Sequence, residues 1–228
     1  MKRTVVYFFT IPRKSIPFAF ASMAIDRLRT RLFTGISFSK LLGTGTGKTF
    51  TPSDADLTRW GMVVVVDENQ IAAFDQSPIV KNWRKRSTSE FCAVLAPLSS
   101  HGLWAKKNPF DFTSPLSHPD AQIAAITRAR IKWNKNFTFW GAVPPVVTDL
   151  HNSPGLIAAI GIGEAPIGLQ GTFSLWQSAS ALRDFAYKGK AHQVAIAQTE
   201  SIGWYSEELF ARFEVLELRG QITATAGK

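Results

Sequence analysis

Cysteine is almost missing. Cys92 is the single one in 228 residues, so no disulfide framework can form, and a reducing compartment suits the chain. There is no cysteine cluster and no His-x-x-x-His pair, so the spacing of a zinc site is absent as well. No apolar run reaches the roughly 18 residues that span a bilayer. Val5 to Ile11, behind Lys2-Arg3, is too short for a secretory core and runs into Pro12-Arg13-Lys14. A cytoplasmic protein is expected, soluble or peripheral at a membrane. Acidic residues are the scarcer charge. Against 26 Lys and Arg stand 17 Asp and Glu, and the net charge of +9 favours an acidic partner such as anionic lipid, nucleic acid or an anionic cofactor.

What the chain does have is 45% hydrophobic and 12% aromatic residues, enough for a sizeable core in one domain or two small ones. Thr4 to Ile11 reads as a strand. Pro17 to Phe33 is helical by period, with Phe18, Ala21, Ile25, Leu28 and Leu32 on one side and Arg27 and Arg31 on another. An ordinary helix packed on a sheet is the favoured reading of that stripe, over a basic segment lying on a membrane. Gly35 to Leu42 and Trp60 to Val66 are strands around a glycine-rich loop. Glu68 to Arg86 is a helix that Pro78 kinks or restarts, and Glu90 to Leu98 is a strand.

A connector, 101–121, is rich in proline and serine. The order then begins again: strand Ile123 to Ile131, a helix from Lys135 to His151 broken at Pro144-Pro145, strands Leu156 to Ile162 and Thr172 to Trp176, a helical segment, and strand Phe210 to Leu218. Both halves read β-α-β-β-α-β. The expected fold is α+β, two tandem ferredoxin-like repeats (1–100 and 122–220) packed as a pseudo-symmetric dimeric-α/β-barrel-like unit. In the local match Leu41 to Gly45 aligns with Ala159 to Gly163 and Phe74 with Phe185, which sets Lys81 where His192 falls.

Two glycine motifs are decoys. Gly43-Thr-Gly-Thr-Gly47-Lys48-Thr49 lacks the first glycine of a phosphate loop, where Leu42 stands, and Phe50-Thr51-Pro52 cannot open the required helix. Gly161-x-Gly163-x-x-Pro166 fails the dinucleotide pattern at its third glycine. Basic residues are scattered, without an aromatic-basic platform, so nucleic acid is not expected. His101 and His118 lie in the connector, and His151 sits at a helix end where it can cap. His192 shares a helical face with Ala195, Ile196 and Thr199. From pattern alone that describes a buried histidine hydrogen-bonded to backbone, or an axial ligand to haem.

The chain resembles the spheroidene monooxygenase family of carotenoid biosynthesis. The residues that carry the likeness are Gly43 with Phe50-Thr51-Pro52, Thr127-Arg128-Ala129, Phe139-Trp140, Gly163-Glu164-x-Pro166, Gln170-x-Thr172-Phe173-Ser174-x-Trp176, Phe185-Ala186, His192 and Gly203-Trp204-x-x-Glu207-Glu208-Leu209-x-Ala211-Arg212-Phe213. The resemblance implies a dimeric α/β-barrel-like fold, as in haem-dependent aldoxime dehydratases, and haem b whose iron is held by His192. It also implies oxygenation of a long apolar, carotenoid-like substrate. On that reading Gln170 and Ser174 donate hydrogen bonds to bound oxygen, and Arg128 or Arg130 pairs with a propionate. No flavin or iron–sulfur motif is present, so electrons come from an external reductase or ferredoxin. Peripheral membrane contact and a homo-oligomer are both compatible with it. The alternatives are a haem-dependent dehydratase and a non-catalytic barrel that binds an apolar ligand or a subunit.

Overall fold

β-branched and aromatic runs set the strands, and eight of them close on themselves. The computed structural model describes residues 1–164, 169–188 and 203–222. In chain order the elements are β1 (Lys2–Thr10), α1 (Ile16–Leu32), β2 (Ile36–Gly45), β3 (Ala55–Asp67), α2 (Ile71–Asp75), α3 (Pro78–Arg86), β4 (Ser89–Gly102), β5 (Ile123–Ile131), α4 (Asn136–His151), β6 (Leu156–Gly163), β7 (Leu169–Trp176), α5 (Ala179–Lys188) and β8 (Tyr205–Arg219). Around the barrel the order is β1-β3-β2-β6-β7-β5-β8-β4. Every neighbouring pair is antiparallel, and the ring of strands is closed. The result is a mixed α/β fold, an eight-stranded antiparallel barrel with five α-helices among the described residues.

The two seams between the halves differ. β4 and β8 pair from Cys92↔Arg219 to Gly102↔Leu209, whereas β2 and β6 meet only at Gly43↔Gly163 and Thr44↔Ile162. Alternate residues of each strand point inward. Val6, Phe8, Val63 and Val65 there meet Ala124, Ile126, Ile160, Phe173 and Leu175 in one core. Phe8 and Phe173 touch edge to face across it, with centroids 5.4 Å apart. The interior is packed by side chains drawn from both halves. The segment after β4 adds to it, because Trp104 and Phe110 are fully buried in the same core. So the connector closes one end of the barrel.

Several local expectations are modified. The Pro78 break is real: Ser77 caps α3 by accepting from the Val80 amide, and α2 ends at Asp75. By contrast α4 runs unbroken through Pro144 and Pro145. Helix α1 inverts the expected stripe. Its buried residues are Ala19, Ser22, Asp26 and Thr30, while Ile25, Leu28 and Leu32 face solvent. Trp83 explains the inversion, since its indole nitrogen donates to Asp26 at 3.1 Å and draws the polar side of the helix onto the core.

Candidate functional site

The outward faces of the two half-barrels are floored differently. On the first, Val5, Tyr7, Phe9, Trp60, Met62, Val64 and Val94 are capped by Phe74, Val80 and Trp83, a dense aromatic layer. On the second, Ser174 of β7 lies between Ala125 of β5 and Ala159 of β6, and Thr172 lies between Thr127 and Gly161. These paired positions share the outer face, because Phe173 and Leu175 between them point into the barrel. The floor is therefore made of small side chains, ringed by Trp176, Leu150, Leu182 and Phe185. α1 runs close along β2, whereas neither α4 nor α5 approaches the second sheet as closely. Ala125 and Ala159 of this floor are themselves buried, packed with Leu150 of α4 and Leu182 of α5, and a mostly apolar layer of small side chains is chemistry suited to a flat apolar group.

Ser174 is buried on this floor, and its oxygen accepts the Trp176 indole N–H at 2.9 Å. That leaves the hydroxyl proton to be donated elsewhere. The glycine-rich loop borders the strip, with Phe50 packed among Ala159, Trp176 and Phe185. Its amides point at an anion, as in a phosphate loop, but the chain supplies that anion. Asp54 accepts from Gly47, Thr49 and Phe50 at 3.0, 3.2 and 3.2 Å. His151 lies against this loop through a 2.7 Å contact between Nε2 and the Gly47 carbonyl, rather than capping its own helix.

A second set of functional residues gathers at one end of the barrel. Arg128 points inward from β5, on the opposite side of the sheet from Ser174, and its guanidinium bridges Glu164 at 3.3 Å and Glu207. Glu164 also takes Lys40 and, at 2.6 Å, the Trp104 indole N–H. Glu207 accepts the amides of Ala105 and Lys106 at 3.1 and 2.7 Å, which holds those two non-glycine residues at φ of 55° and 62°. Burial pushes the Glu164 carboxyl up, but Lys40, Trp104 and Arg128 outweigh it and hold it below the ordinary range. For Glu207, too, burial is outweighed, by the two amides and by Arg128. Leu42, Trp104, Arg128, Ile162, Gly163, Glu164 and Gln170 line a small cleft there.

Gln170 borders the cleft that Arg128 lines, but by strand alternation it lies on the outer face of β7 with Thr172 and Ser174, whereas Arg128 points into the barrel. Arg130 is exposed at the end of β5. His192 lies outside the described residues, as do residues 165–168. His101 and His118 are at the surface, and the described residues contain no cluster of metal-ligating side chains. Sequence reasoning assigned no role to Glu164, Glu207, Lys40 or Trp104. The two glutamates stand inside conserved-looking strings already quoted, yet only the closed barrel shows that both strings end on one arginine.

No family model matches the chain. It is 34% identical over 211 residues to the spheroidene monooxygenase of Rhodobacter capsulatus, covering 90% of this chain and 86% of that protein. It is 36% identical over 192 residues to the spheroidene monooxygenase of Rubrivivax gelatinosus, covering 82% and 71%. Among solved structures an aldoxime dehydratase aligns with a TM-score of 0.59 at 10% identity, over 98% of this chain and 86% of that one. This last likeness is one of fold alone.

Proposed function

The chain belongs to the spheroidene monooxygenase family, and from that premise we propose that it oxygenates a long apolar, carotenoid-like substrate with haem b held by His192. As a member of this family it is an oxidoreductase, a monooxygenase. The observation that carries the haem reading is the small-residue floor of the second half-barrel, which has no counterpart in the first. The residues present fit such a group: Ala125, Ala159, Gly161 and Ser174 give a flat apolar bed, and Leu150, Leu182 and Phe185 close round it.

Bound there, haem would supply dioxygen activation, with electrons from an external reductase or ferredoxin. The chain's own part is to orient and to exclude water. Ser174, whose oxygen already accepts Trp176, can turn its proton outward over the floor. Gln170 stands at the rim, where it can donate to a ligand entering from the barrel end. Arg128 is neutralised by two carboxylates, so the exposed Arg130 is the better partner for a propionate. A dehydratase rests on the fold likeness alone and is not favoured.

We also read the barrel as two tandem ferredoxin-like repeats, 1–100 and 122–220. The first four strands lie in the order 4-1-3-2 and the last four in the equivalent order 8-5-7-6, which supports that reading. The test of function is reconstitution of the purified protein with haemin, followed by absorbance in the Soret region and by turnover of an acyclic carotenoid with reductant and oxygen. A ligand at 100 times its dissociation constant adds about 2.7 kcal/mol to unfolding stability. His192→Ala should lose both the Soret band and that increment, and His151→Ala should keep them. An intact band in His192→Ala sinks the assignment.

A further inference from the structure

Helix α1 is turned inside out. Its inner side is Ser22, Asp26 and Thr30 with Ala19, held by Trp83 on Asp26 and by a 2.9 Å hydrogen bond between the Thr30 and Ser39 hydroxyls. Its outer side carries Ile25, Leu28 and Leu32, which are 51%, 60% and 74% exposed. At about 100° per residue, Ala21 falls between them, and Pro17 and Ala24 extend the same apolar arc beyond Leu28. Arg27 and Arg31 border that arc on one edge and Arg29 on the other, all exposed. Asp26 is the only acidic residue of the helix, and it is buried.

We propose that this face of α1 docks the enzyme on an anionic lipid bilayer. The helix has 17 residues, about 25 Å, and its arginines forbid a transmembrane course, so it would lie in the plane of the interface. Arginines at the margins of an apolar arc keep their stems on the hydrocarbon boundary and their guanidinium groups at phosphate level. Charge selects the occupant. Arg29 already pairs with Asp26 at 3.4 Å, but a two-fold contact with a second copy would set Arg27 and Arg31 against themselves, and the helix exposes no acid to neutralise them. Anionic headgroups neutralise both. The docking is independent of haem, and it brings the enzyme to the phase in which a long apolar substrate is dissolved.

Flotation of the intact protein with vesicles tests this. Phosphatidylcholine vesicles containing about one-third phosphatidylglycerol should carry the protein, neutral phosphatidylcholine vesicles should not, and added salt should release it. Leu28→Ser combined with Leu32→Ser should abolish flotation, and Arg27→Gln combined with Arg31→Gln should weaken it about tenfold. Leu216→Ser, at another exposed apolar position on β8, should leave it unchanged. All three variants should melt like the parent, because every altered side chain is exposed. Equal flotation of parent and α1 variants overturns the proposal. So does the alternative in which the parent is a dimer by light scattering, binds no vesicle, and becomes a monomer in the leucine variant. Neither readout needs haem or turnover, so failure here leaves the monooxygenase reading standing, and the reverse also holds.

Discussion

Asp26 shows how one buried polar side chain can outrank a stripe of leucines. Burial raises its carboxyl above the ordinary aspartate range, and the hydrogen bonds from Trp83 and Arg29 reverse only part of that rise. The folded state therefore holds a proton that the unfolded chain has already released. Stability from that proton is complete below the ordinary aspartate value and is lost as pH rises through the raised folded one. At neutral pH the carboxylate destabilises the fold while its hydrogen bond to Trp83 still orients the helix. An amide keeps the acceptor without the charge. Asp26→Asn should be more stable than the parent at pH 7, and the gain should fade as pH falls to the ordinary aspartate range. Urea midpoints at pH 7 and in that range measure it.

At the scale of elements, composition predicts a connector over 101–121 and a glycine-rich loop after Leu42, and both do structural work. The connector inserts Trp104 and Phe110 into the barrel, and Trp104 also donates to Glu164. Trp104→Ala removes a fully buried ring and a partner of a buried carboxylate, so about 3–5 kcal/mol of stability should go. Chemical denaturation would show it, and a variant that unfolds like the parent would mean the barrel end is closed without this ring. Composition flagged proline and serine in the connector correctly, but Trp104, between Leu103 and Ala105, belongs to no helical or strand period that places it inside. The Gly43 to Thr49 loop was legible as a failed phosphate loop from the missing glycine. What filled its amides was not legible, because the carboxylate comes from Asp54 beyond a proline turn.

For the whole molecule, the decisive feature is that its interior belongs to neither half. Val6, Phe8, Val63 and Phe91 share one buried core with Ile126, Ile160, Phe173 and Phe213. Residues 1–102 expressed alone would expose that entire face and should aggregate or pair with themselves, whereas co-expression with 103–228 should restore a soluble barrel. Size-exclusion chromatography with light scattering distinguishes these results. A monomeric, well-dispersed N-terminal half would show that the interior seam contributes little.

Strand and helix existence, the repeated element order and the family were set by the sequence alone. Each rests on spacing within ten or so residues, or on short strings of residues that a family likeness can use. The apolar run Val63 to Val66 and the alternation of Thr172 to Trp176 are local facts, and they survive any arrangement of the rest. The meeting of Arg128 with Glu164 and Glu207, the small floor beneath Ser174 and the outward turn of Leu28 are of another kind. They depend on which strands became neighbours and on which side of a helix won the core, and those outcomes are settled only when the barrel closes.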